Sequence, residues 1–253
     1  MIDLNHQLRT HLESLRAAGV EYVPVGEPVA LAPAPEPPRE AASGSTLELF
    51  SEPEPVAPDS PDARRHELTV LAQQIAPCSR CPELYSTRTQ TVFGVGPVDP
   101  EICFVGEAPG ADEDAQGEPF VGRAGQLLNR IIIACGFKRE EVYICNTIKC
   151  RPPNNRTPSP TERDNCRDYF DQQIALVRPT YLVCLGATAA QSVLGTSTGI
   201  NRLRGSMHKL GDIPVMCTFH PAYLLRDETK KKDCWDDMKM LLNVMGRPIP
   251  GKS

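Results

Sequence analysis

The sequence predicts an α/β fold: three layers, α/β/α, around a short, mainly parallel central sheet, preceded by a disordered N-terminal extension. Short strand-like runs alternate with longer runs of helical period. The strand-like runs are almost wholly apolar, as expected where helices cover both faces of a sheet. The composition, 40% hydrophobic and 23% charged over 253 residues, suits one sizeable globular domain with an appendage.

Taken in chain order, residues 1–20 carry Leu4, Leu8, Leu12 and Leu15 at helical spacing, a short amphipathic helix that is either a frayed terminus or a docking arm for a protein partner. Residues 21–62 are rich in Pro, Ala and Glu, with 10 of the chain's 25 prolines between Pro24 and Pro61, and bury too little surface to fold. Residues 63–253 form the folded body. A helix is expected from Asp62, as its N-cap, to Ile75. Strands are expected at Ile102–Val105, Val142–Cys145, Tyr181–Leu185 and Val215–Phe219. Helices are expected at Gly125–Cys135, Thr161–Val177, Ala187–Val193 and Asp233–Met245. In such sheets ligands bind beyond the strand C-termini, which puts the loop after Val105 and His220 on one rim.

The net charge of −5 conceals a division. Residues 1–63 hold 3 Lys/Arg against 11 Asp/Glu, and residues 64–253 hold 24 against 21, so a weakly basic body carries an acidic tail. No apolar run reaches the length of about 18 residues that would span a membrane, so no membrane contact is expected. The start, MIDLNHQLRT, lacks the pattern of a secretory signal. A cytoplasmic, nucleoid-associated monomer is the expectation, and in that setting the ten cysteines point to core packing or metal rather than disulfides.

Six cysteines (Cys103, Cys135, Cys145, Cys184, Cys217 and Cys234) lie in or beside apolar runs and read as small buried hydrophobes. The other four differ. Cys78 and Cys81 form a Cys-x2-Cys pair beside Pro77 and Pro82, Cys150 opens the polar loop RPPNNRTP, and Cys166 follows on a helix. Two thiolate pairs in polar surroundings suit a four-sulfur site for zinc or for an iron–sulfur cluster, and the wide second spacing favours [4Fe–4S].

The stretch GEAPGADED, Gly106 to Asp114, looks like a phosphate loop but carries the wrong charge. Gly125 is followed by Gln126, not the Lys of a Walker loop, and G-x-G-x-x-G is absent. A flat base with polar edges fits better. Phe120 can stack on such a ring or simply fill core. Asn146, at a strand end, is either a turn residue or a reader. Its amide can accept from a ring N–H and donate to the neighbouring carbonyl, the pattern of uracil N3 and O4 that cytosine reverses. His220, directly before Pro221, is held extended at the next strand end.

GEAPGADED, PFVGRAGQLLN, NTIKCRPPNNR and HPAYLLR, in this order between about Cys78 and Met245, resemble the family 4 uracil-DNA glycosylases, which carry an iron–sulfur cluster. The resemblance implies hydrolysis of the N-glycosidic bond of deoxyuridine in single- or double-stranded DNA, leaving an abasic site. It implies that Cys78, Cys81, Cys150 and Cys166 ligate a [4Fe–4S] cluster. It also implies that Glu107, Glu113 and His220 act at the reacting base, Glu113 near uracil C5, and that Ala108, Phe120 and Asn146 bind it. Where better-known uracil glycosylases place a water-activating aspartate, this chain has Ala108. The Arg-rich, His-containing insertion of the related covalently trapping branch is missing from KCRPPNNR, so turnover is expected. Leu224 and Leu225 are candidate wedges for the gap left by a flipped base, or ordinary helix-start packing. Lys149, Arg151, Arg156 and Arg163, with Arg226, are candidates for phosphate contact, and Lys230 to Lys232 are either the same or a solvated turn. A non-catalytic DNA-binding accessory and an iron–sulfur electron carrier remain as readings from other classes.

Overall fold

The computed structural model describes residues 59–249, and the amphipathic helix and Pro-rich segment expected at the N-terminus lie outside the described residues. Its centre is a five-stranded sheet, with β1 (Ile102–Gly106), β2 (Tyr143–Asn146), β3 (Tyr181–Leu185), β4 (Met207–Leu210) and β5 (Ile213–Thr218) in the order β2-β1-β3-β5-β4. Four strands run parallel and β4 pairs antiparallel with β5 at one edge. The four expected strands are present: β3 has the expected bounds, and β1, β2 and β5 differ from them by one or two residues at one or both ends. The additional strand, β4, escapes the sequence pattern because its residues are partly exposed and it lacks an apolar run.

Strand side chains alternate between two cores, as the two-residue period of a strand requires. Cys103, Val105, Cys145, Cys184 and Cys217 face one way, toward α1 (Pro61–Ile75), α5 (Pro160–Val177) and α6 (Ala187–Leu194). Ile102, Phe104, Ile144, Val183 and Met216 face the other way, toward α4 (Arg123–Ala134) and α9 (Lys231–Val244). Each parallel strand thus gives one small thiol to the first core, and all six cysteines read as packing residues are buried.

Ser60 caps α1 in place of Asp62, accepting from the Ala63 N–H at 3.1 Å, and Pro61 takes the first helical position. Helix α5 begins with a reciprocal capping box between Ser159 and Glu162. Short helices α2 (Pro82–Thr87), α3 (Ala111–Gln116), α7 (Ile200–Leu203) and α8 (Pro221–Arg226) complete the α-helices of the described residues. Near the end of β5, Thr218 donates to the buried Asp237 of α9 at 2.7 Å, and Arg204 holds the same carboxylate, which fixes the strand end that leads to His220. Among the described residues no helix is long and apolar enough to cross a membrane.

Candidate active site

Beyond the C-terminal ends of β1, β2 and β5 the chain leaves an open cleft of about 530 Å³, within the range of roughly 300–1,000 Å³ for small-molecule sites. Glu107, Ala108, Glu113, Phe120, Asn146 and His220 all line it. Six residues read from the sequence as one site are therefore one site in space.

Phe120 sits at the foot of the cleft with φ of 54°, a conformation an aromatic residue adopts only when its surroundings hold it there. Two glycines supply that hold. A side chain on Gly125 would collide with the Phe120 carbonyl, and one on Gly106 would collide with Asn146 Oδ1 and come 2.7 Å from Phe120 Cζ. Glu113 closes the loop above. Its Oε1 accepts from the Val121 and Gly122 N–H groups at 3.0 and 3.1 Å, and its Oε2 accepts from Gly110 N–H at 3.1 Å. The carboxylate that the resemblance places at the base is thus also a three-point backbone clip, a role no sequence spacing reveals.

Asn146 is the register partner of Gly106 and is buried, yet its Oδ1 has no hydrogen-bond partner. Such orphan acceptors are costly to keep, so this one marks a place where a donor is expected. Across the cleft the ring of His220 lies 5.6 Å from that of Phe120. Its Nδ1 accepts from the Ala222 backbone N–H at 3.1 Å, capping α8. The half-buried ring is pushed down to about 4 by burial, with the Arg226 charge adding to the shift. Burial raises the Glu107 carboxyl from its ordinary value, against the pull of hydrogen bonds to Thr188 and Thr157 and the charge of Arg163. Thr157, Thr188, Arg123 and Tyr223 were not singled out by the sequence, since nothing in their spacing distinguishes them.

Ala108 also touches a second feature, the cluster that contains Cys81, Cys150 and Cys166. Cys78, Cys81, Cys150 and Cys166 line one partly open, mainly apolar pocket between α1, α2 and α5. Among the described residues no group of three or more His, Cys, Asp or Glu side chains is drawn together as a metal site, and none of the four cysteines forms a disulfide. Their surroundings still suit a four-sulfur group. Arg88 Nη1 donates to Cys150 Sγ at 2.9 Å, Asn165 Nδ2 to Cys81 Sγ at 3.4 Å, and the Lys149 backbone N–H to Cys166. Burial pushes the Cys166 thiol up to about 11, while Lys149 and its N–H favour the thiolate.

Residues 93–239 match the family model described as the uracil DNA glycosylase superfamily. This chain belongs to that superfamily. Among its relatives are type-4 uracil-DNA glycosylases of Thermotoga maritima, 44% identical over 66% of this chain and 88% of the relative, and of Archaeoglobus fulgidus, 40% identical over 71% and 94%. A third, from Sulfurisphaera tokodaii, is 38% identical over 72% of this chain and 86% of its own length. Within the superfamily the chain is a type-4 member.

Three expectations for the rim of this glycosylase fold need correction. Lys149 does not face phosphates: it is fully buried, and its ammonium bonds Asn146 O and Gln173 Oε1. Leu224 is 1% exposed and packs with Leu127, Phe219 and Cys234, so it serves as helix packing and not as a wedge. Leu225, next to it, is only partly buried, and Arg226 is exposed at the cleft. Arg156 lines the cleft but gives both terminal nitrogens to the carboxylates of Glu162 and Glu83. Arg151 donates to Asn155 Oδ1. Lys230 and Lys231 pair with Asp233 and Glu228, the pattern of a solvated turn.

Proposed function

We propose that the chain excises uracil from DNA, hydrolysing the N-glycosidic bond of a flipped deoxyuridine and leaving an abasic site in base excision repair. The observation that carries this reading is Asn146 Oδ1, buried and unpartnered beside the Phe120 ring. Uracil offers an N3–H to such an acceptor and an O4 to the amide N–H₂, whereas cytosine offers the reverse and leaves both groups unpaired. Phe120 stacks on the base, a contact worth roughly 1–3 kcal/mol.

Flipping costs a few kcal/mol, less at a mismatch. The bond then breaks with positive charge on the sugar and negative charge on uracil, and water adds at the sugar C1′ and gives up a proton that neutralises the departing uracil, leaving the abasic site. His220 meets the second charge. With Nδ1 occupied by Ala222 N–H, the neutral ring carries its proton on Nε2 and donates to O2 without becoming an acid. Glu107, a cleft carboxylate, stabilises the sugar cation, and Glu113 holds the loop from which Phe120 and the backbone of Ala108 approach the base. No lysine lines the cleft among the described residues, which suits release of uracil without strand cleavage.

Cys78, Cys81, Cys150 and Cys166 would hold a [4Fe–4S] cluster, which would cross-link the segments that carry them and take no part in bond cleavage. DNA phosphates are met by Arg151 and Arg226, Leu225 is the remaining wedge, and Arg156 acts through the loop it braces. The test is release of the free pyrimidine base, uracil from U·G and U·A and thymine from T·G duplexes, by protein purified without air. Cleavage of the two uracil duplexes and not of T·G is expected, and no release from either would overturn the reading.

A further inference from the structure

Lys149 is among the largest fully buried side chains, and the chemistry above makes no use of it. An ammonium taken out of water is costly unless its donors are satisfied. Here they meet neutral acceptors: Asn146 O at 2.7 Å and Gln173 Oε1 at 2.5 Å. Gln173 cannot turn its oxygen elsewhere, because its Nε2 is held by Phe93 O and Tyr143 Oη, both at 2.9 Å. The rings of Phe93 and Phe170 lie 5.8 Å from Nζ. The Lys149 backbone is equally fixed, its carbonyl accepting from Val92 N–H at 2.8 Å and its N–H directed at the sulfur of Cys166.

The acceptor matters. Asn146 is the last residue of β2, where the strand ladder ends, and its own Oδ1 has no partner inside the protein. The direction of that amide is therefore set by the peptide that carries it, and the peptide's carbonyl is the group Lys149 grips. A residue that touches the cysteine pocket through its main chain holds the base-reading residue through its side chain.

We infer that Lys149 is a positioning residue for base selection: through the Asn146 carbonyl it fixes the angle at which the Asn146 amide meets the base edge, with Gln173 and Tyr143 as its anchor. The inference rests on the reading of Asn146 as the group that recognises uracil.

The test uses the full chain, prepared without air, as Lys149→Met and Gln173→Met. For each, the inhibition constant of free uracil, the single-turnover release rate, the Kd for a duplex bearing an abasic site and the visible absorption are measured. Lys149→Met is expected to weaken free uracil by about tenfold, the loss of one charge-assisted hydrogen bond, and to slow release. Binding of abasic DNA and the visible absorption should stay as in the unmodified chain. Gln173→Met should shift uracil affinity in the same direction by less, and it decides the matter alone if Lys149→Met does not fold. Unchanged uracil affinity in the folded variants overturns the inference, as does an equal loss of abasic-DNA binding. Asn146→Ala separates the two layers. If it keeps its affinity for uracil, the base-reading role fails. If it loses that affinity while the Lys149 and Gln173 variants do not, only the role of Lys149 fails.

Discussion

The Nδ1 of His220 accepts a backbone N–H, and that one bond decides which ring nitrogen can act on a substrate. Burial holds the imidazole at about 4, against 6.5 for a free side chain. The folded state therefore favours the neutral ring, so the stability this provides is present above about pH 6.5 and is lost as the pH falls from 6.5 toward 4. The rate of uracil release should accordingly show no inflection near pH 6.5 in single-turnover profiles. His220→Ala should lower that rate by about 10²-fold or more with DNA affinity retained, since a pre-aimed donor to a developing anion is lost. It should also show less acid destabilisation in the same pH window. His220, Asn146 and Phe120 could be read from the sequence as candidates for one base-binding set because each has a distinct edge or face to offer, and the structure brings the three to one cleft. Lys149 was not. In a run of Lys, Cys, Arg and Pro it reads as a surface cation, and only its enclosure by Gln173 and Phe170 of α5 and by Phe93 takes it out of water.

Between Gly106 and Asn129 the chain does more than turn. It forms α3, crosses the cleft, and enters α4, and Glu113 joins its two arms by accepting from Gly110 on one side and Val121 and Gly122 on the other. The acidic character of this loop, puzzling for an anion site, is explained in part by that clip. Asp114 adds to it, buried and accepting from the Thr89 N–H at 2.9 Å. Glu113→Ala should leave three N–H groups without acceptors and cost about 1–3 kcal/mol. The measurements are a lower Tm and faster amide exchange at Gly110, Val121 and Gly122, with exchange in β3 unaffected. The sequence located the loop by its glycines and its place after an apolar strand. It did not reveal the clip, because the residues it joins meet only once Phe120 has taken up positive φ between Gly106 and Gly125.

Across the whole molecule, two features share the end of the sheet: a cleft built from the tips of β1, β2 and β5, and a cysteine pocket built from the end of α1, the segment after β2 and the start of α5. Ala108 lines the cleft and packs against the cysteine cluster, and Lys149, which lines the cysteine pocket, bonds the carbonyl of Asn146 at the cleft. On the proposed ligation of a [4Fe–4S] cluster by the four cysteines, Cys166→Ser should remove the visible absorption of the anaerobically purified protein and lower its Tm, because a bound cluster stabilises only the folded chain. Its single-turnover rate, measured below the new Tm, should fall less than that of His220→Ala; an equal fall would place the cysteine pocket in the chemistry itself. By itself the sequence determined the α/β class, the four parallel strands, the six cysteines that pack the core, and the order of the segments that line the cleft. These are set by apolar period, local turn chemistry and residue type, all of which are written along the chain. Only the tertiary structure decided which cations face solvent, which leucine of α8 is buried, what Glu113 holds, and that Asn146 keeps an unpartnered oxygen. Burial and hydrogen-bond satisfaction are properties of neighbours distant in sequence, and no local pattern records them.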